Sequence, residues 1–179
     1  MGRLLLFMIS FFAFSCAQKT IVVKEEYDRR PPGLVIASEN ALENGKKQLA
    51  KWHCKQAIHE FNKAVEKDPK NFEALYWLGV AEGMCGYYSQ AYNRLIYVVR
   101  YAPDDVWKAR VYATIGVTLL YMEKPEDATL YFERAKSIDP GNELVATYYE
   151  GERIKGKKHG IKKKLKHGEG YEITLRWLH

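Results

Sequence analysis

Three cysteines in 179 residues are too few for a disulfide framework, and they lack the paired close spacing of a zinc site. The five histidines offer no metal chemistry either. His53 and His59 stand six apart, not the three or four that put two ligands on one helical turn, and His159, His167 and His179 follow no ligand spacing. No Gly-rich phosphate loop follows a strand-like run, and no nucleophile motif of the G-x-S-x-G kind occurs. The carboxylates fall on polar helix faces, where solvation accounts for them. The chain therefore reads as no enzyme, with no metal and no cofactor. Long apolar runs are missing too: Leu4 to Phe14 (LLLFMISFFAF) is eleven residues, where a membrane-spanning helix needs about 20. Length suits one domain with a real core, plus appendages.

The net charge of +6 is an average over two unlike parts. From Arg153 to the end there are 9 Lys/Arg against 2 Glu, whereas Met1 to Glu152 has 19 against 20 Asp/Glu. A near-neutral body thus carries a basic C-terminal appendage.

The N-terminus reads as an export signal, residues 1–17. Met1-Gly2-Arg3 supplies a positive start and Leu4 to Phe14 the apolar core. Leu6 stands where a myristoylation pattern needs Ser or Thr. Ala13-Phe14-Ser15-Cys16 resembles a bacterial lipobox, which would make Cys16 a lipid-bearing first mature residue, although Leu or Val is usual where Ala13 stands. Cleavage after Ala17, with Ser15 and Ala17 as the small residues, is the second reading, and an uncleaved anchor the third. All three place the domain outside the cytoplasm, in the periplasm or at the outer membrane or cell surface. Residues 18–37 then read as a linker in which Pro31-Pro32-Gly33 blocks helix.

The body is organised around Phe72 to Asp105. Counting Phe72 as position 1, Leu75, Leu78, Gly79, Ala91, Leu95, Val98 and Pro103 stand at positions 4, 7, 8, 20, 24, 27 and 32. Steps of three and four imply two amphipathic helices, small residues mark close approach, and the proline closes the second helix. Ser38 to Asn71 repeats the second half as Ala57, Phe61, Ala64 and Pro69, and its degenerate first half keeps Gly45. Ala128, Phe132, Ala135 and Pro140 repeat it again, 37 residues after Pro103 rather than 34. The excess is nearly one helical turn, so the preceding helix is expected over about Asp104 to Met122, with Trp107, Tyr112, Ile115, Gly116 and Leu119 inward. Glu143 to Lys155 is a further amphipathic helix, with Ala146 and Tyr149 on its apolar side.

This 34-residue helix-turn-helix period resembles the tetratricopeptide-repeat (TPR) family. The resemblance implies an all-α fold, an α-α superhelix of three repeats (38–71, 72–105, 106–142) and a capping helix (143–155), together a domain over 38–155 with a basic tail at 156–179. It also implies a protein–protein interaction module whose concave groove, lined by the first helix of each repeat, holds a peptide or partner protein. Carried over position by position, that groove takes Lys46, Tyr76, Val80 and Met84; in the lengthened repeat the frame is open and Arg110, Ala113, Val117, Leu120 and Tyr121 are the candidates. The Lys/Asn/Arg clamp by which some family members hold chaperone C-terminal carboxylates is missing, since Leu42, Tyr76 and Ala113 stand where it would begin. The groove is instead apolar and aromatic, which favours a hydrophobic peptide, although some of these side chains are expected to pack between helices.

In the family's packing, facing positions of successive helices sum to about 31. Cys54 at position 17 and Cys85 at position 14 meet that sum, so they either form a disulfide or sit as two small buried hydrophobes. Lys157, Lys158, Lys162, Lys163, Lys164 and Lys166 raise a second function: binding of an anionic lipid or envelope polyanion, with nucleic acid the least expected partner of an exported protein. A plain solvated tail is the alternative. Beyond them Tyr171, Ile173, Leu175 and Trp177 alternate with Glu172, Thr174 and Arg176, a one-faced strand pattern expected to dock on a partner or back into the groove.

Overall fold

The computed structural model describes residues 30–157, with side chains to residue 150. The signal-like segment, Cys16, most of the linker and the tail beyond Lys157 lie outside the described residues. Seven α-helices run in order: α1 Pro32–Ala50, α2 Cys54–Lys67, α3 Phe72–Met84, α4 Tyr88–Val98, α5 Asp105–Tyr121, α6 Pro125–Ile138 and α7 Glu143–Lys157. No strand occurs among the described residues. The fold is an α-α superhelix. Helices pair within repeats as α1/α2, α3/α4 and α5/α6, α2 packs on α3 and α4 on α5, and α7 closes against α5 and α6. No helix among the described residues is long and apolar enough to cross a membrane.

The outer helices α2, α4 and α6 each bury one stripe: Ala57, Phe61, Ala64; Ala91, Leu95, Val98; Ala128, Phe132, Ala135. Within each repeat the large residue of that stripe lies against a glycine of the first helix. A Cβ on Gly116 would sit 2.8 Å from the Phe132 ring, and one on Gly79 would sit 3.1 Å from Leu95. At Gly45 the Phe61 ring is closer still. These contacts hold each helix pair at a backbone separation that a Cβ could share only if the facing side chain gave way.

Each repeat turns between its helices through three residues, and the middle one is left-handed: Trp52 (φ 62°), Gly86 (φ 83°) and Glu123 (φ 61°). In each turn the next amide donates five residues back into the helix, His53 to Gln48, Tyr87 to Glu82 and Lys124 to Leu119. This is the hydrogen-bond pattern that satisfies a helix's last carbonyls. Between repeats, Asn71, Asp104 and Asn142 cap the next helix by accepting from the amides of Ala74, Trp107 and Val145.

Two expectations need correction. Pro31-Pro32-Gly33 starts α1 rather than blocking it, because a proline in the first turn lacks only an amide that would have no helical partner. Residues 32–37 therefore belong to the first helix and not to a linker. In α7 the buried residues are Leu144 and Val145, with Tyr148 stacked on Phe132 at 4.0 Å between ring centroids. Ala146 is exposed, since the large Tyr148 ring reaches the Phe132 face. α5, at Asp105–Tyr121, falls where the sequence places it.

The three glycine contacts predict an ordering. Gly45→Ala and Gly116→Ala drive a methyl into an aromatic ring held in the core and should cost about 1–3 kcal/mol. Gly79→Ala meets a less crowded and movable leucine and gains about 1 kcal/mol of helix propensity, so it should be nearly neutral. Urea melts of the three variants check this.

Candidate functional site

The Gly116–Phe132 contact fixes the register that was open in the lengthened repeat. Matching it to Gly79–Leu95 places the extra residues at the start of α5 and aligns Ala113, Val117 and Tyr121 with Tyr76, Val80 and Met84. The inner helices thus present equivalent residues to the concave side, with Lys46 of α1 alongside.

Four of the expected groove residues are not open. Tyr76, Val80 and Ala113 are 0% exposed and Val117 is 2% exposed. The Tyr76 ring meets Trp77 and Trp107 edge-on, and its hydroxyl bonds Thr114 Oγ1 at 3.0 Å. Burial pushes that phenol far above its ordinary pKa, against the smaller opposing pull of Thr114 and Arg110. These residues form an apolar bed between α3 and α5. They are not contact residues for a partner as the structure stands. Lys46, Met84, Arg110, Leu120 and Tyr121 are partly exposed.

The two cations at this surface are already engaged. Lys46 Nζ donates to Glu43 at 2.9 Å and pairs with Glu73, which also accepts from Trp77 Nε1 at 3.2 Å. Partial burial pulls the Lys46 pKa down, but the hydrogen bonds and charges of Glu73 and Glu43 outweigh it and leave it raised. The Arg110 guanidinium lies over the Trp107 ring, 4.5 Å from its centroid. Tyr121 stacks on Tyr88 with centroids 5.3 Å apart. Behind the bed, Arg94 forks onto the buried Glu82 at 2.9 and 2.7 Å and ties α4 to α3. These cross-helix pairs join residues far apart in the chain, and no local pattern announces them.

A recess of about 370 Å³ lies near the N-terminal ends of α1, α3 and α5, lined by Arg30, Asp68, Glu73 and Trp107 among others. Among its charges, Arg30 pairs with Asp68 and Glu73 with Lys46. No group of three His, Cys, Asp or Glu among the described residues is placed to hold a metal. Cys54, opening α2, and Cys85, closing α3, are joined by a disulfide with Cα atoms 5.6 Å apart. The bond ties the first repeat to the second at the end where Met84 lies.

Comparison with known proteins supports what this geometry suggests. A tetratricopeptide-repeat model matches residues 60–93. The match runs from α2 through α3 into α4, so it begins on an outer helix and covers the best-formed part of the array. Among solved structures, the TPR domain of Arabidopsis OM64 superposes with a TM-score of 0.61 at 17% identity, covering 68% of this chain and 98% of that one. MamA superposes with a TM-score of 0.54 at 23% identity, covering 79% of this chain and 80% of that one. At such identities the likeness shows the fold. No curated protein sequence matches the chain. The family model over residues 60–93 and the shared fold together support a tetratricopeptide-repeat architecture.

The disulfide closes a separation of 31 residues, which should stabilise the native state by about 3–4 kcal/mol through the unfolded chain. Adding a reductant, or replacing Cys54 and Cys85 together by Ser, should lower the urea midpoint accordingly while leaving helical circular dichroism in water unchanged.

Proposed function

We propose that the protein is a non-catalytic scaffold that holds an apolar peptide of a partner protein along the concave surface of α3 and α5, and that it works at a bacterial cell envelope. One observation carries the reading. The partly exposed concave residues Met84, Leu120 and Tyr121 are apolar or aromatic, while the nearby cations Lys46 and Arg110 are engaged by Glu43, Glu73 and Trp107. A partner's carboxylate gains little where lysine already has two carboxylates, whereas an apolar side chain gains by leaving water. Location rests on the signal-like N-terminus with Cys16 as the lipid-bearing residue, and the Cys54–Cys85 bond is in keeping with an oxidising compartment.

Peptides selected on the protein from a random library should be apolar and should bind almost independently of salt. Met84→Glu and Leu120→Glu should each weaken them about tenfold or more, while Leu130→Glu on α6 should not. Unaltered binding by the concave variants contradicts the reading. Binding that collapses as salt rises would favour the Lys157–Lys166 tail as the functional element instead. Cys16→Ala should release the protein from the membrane fraction.

A further inference from the structure

The inner helices are covered more completely than their helical neighbours require. Eight successive residues of α3, Tyr76–Gly83, are buried, and seven of α5, Ala113–Leu119. At 3.6 residues per turn such runs leave no open side. The terminal inner helix α1 behaves differently, burying only Ser38, Ala41, Leu42, Gly45 and Leu49, and the outer helices bury one stripe each. α3 packs on α2 and α4, with lesser contact to α1 and α5. In a two-layer array those neighbours occupy the sides and the back of an inner helix, and the concave side is left over. The residues that the repeat register assigns to that side, Tyr76, Val80, Ala113 and Val117, are nevertheless closed from solvent.

The chain itself holds a segment suited to such a surface. It continues for 22 residues past Lys157, the end of α7, which packs on α5. Within that stretch Tyr171, Ile173, Leu175 and Trp177 form one apolar edge, with Glu172, Thr174 and Arg176 on the other. A one-faced strand needs an apolar bed, and no strand among the described residues offers it a sheet. Eight residues extended span about 26 Å, enough to cross two helices of about 10 Å diameter side by side. The residues between Lys157 and Tyr171 reach about 40 Å when extended, so the path back from α7 is available. Gly160, Gly168 and Gly170 let it turn.

We propose that the segment Tyr171–Leu178 lies along the concave face of its own α3 and α5, with Tyr171, Ile173, Leu175 and Trp177 directed at the apolar bed, so that a partner peptide binds by displacing it. The inference rests on that face being the binding surface. Tethering presents the segment at an effective concentration near the millimolar range, so even a weak intrinsic fit keeps it in place and lowers the apparent affinity of any competitor.

The test places the photo-crosslinker benzoylphenylalanine at position 177 of the full chain, and separately at position 11. Illumination of the first should give a product of monomer mass whose crosslinked peptide comes from α3 or α5, with Met84 the favoured acceptor. Deletion of Gly168 to His179 should in parallel raise the affinity of a selected apolar peptide about tenfold or more. Crosslinks from position 177 that join two chains, or that land on α2, α4 or α6, or that fail to form, overturn the proposal. So does capture of α3 or α5 by position 11 in place of 177, which would make the Leu4–Phe14 run the occupant. If position 177 crosslinks to α3 but no peptide binds with or without the tail, the docking stands and the partner-binding reading falls.

Discussion

Every other relation in the structure depends on the approach of two helix backbones at a glycine. Gly45 under Phe61, Gly79 under Leu95 and Gly116 under Phe132 bring the two helices of each repeat together at one equivalent point. Repetition of one contact is what gives successive repeats the same internal geometry, and only equal units stack into a continuous superhelix. The alanines flanking the two rings, Ala57 and Ala64 around Phe61 and Ala128 and Ala135 around Phe132, allow the approach to extend over two turns. Where the glycine lies also decides which residues reach the concave side, because a helix held at one angular position has all its other faces assigned.

That constraint divides the two layers chemically. The outer helices meet the protein along one stripe and leave the remaining surface to polar, charged and tyrosine side chains. α3 and α5 are apolar on most sides, and the charges of α3 are paired within the protein, Glu82 with Arg94 and Glu73 with Lys46. Such a layer is suited to apolar recognition and poorly suited to a surface left bare to water. The disulfide at one end of α3 and the stacked pair Tyr88–Tyr121 at the corresponding end of α5 hold this layer at its rim.

Much of the fold was legible because it is written in local spacing. Three stripes such as Ala91, Leu95 and Val98 repeat with a closing proline, and the longer interval before Pro140 announces a longer α5. The errors have physical causes of the same local kind. Pro31-Pro32 reads as a break when taken as interior residues and as a start once the helix lies after them. Ala146 loses its inward place to Tyr148 because ring stacking on Phe132 outweighs the burial of one methyl group. The site was legible only in part. Position within a repeat identifies Tyr76 and Val80 as concave, but whether such a residue meets solvent depends on what else comes to lie there. The left-handed Trp52 and Glu123 carry no glycine to betray the turn that Gly86 marks openly, and the Lys46–Glu73 and Arg94–Glu82 pairs arise only after folding.

The dependence of the array on its glycine contact is tested most directly by a double-mutant cycle between Gly116→Ala and Phe132→Leu. The pair recreates in the third repeat the smaller side chain that the second repeat sets against Gly79. A favourable coupling of about 1 kcal/mol or more is predicted, with the double variant losing less stability than the two single variants together. Simple additivity of the two losses would contradict the account, for it would mean that the glycine and the ring are not the contact that sets the repeat.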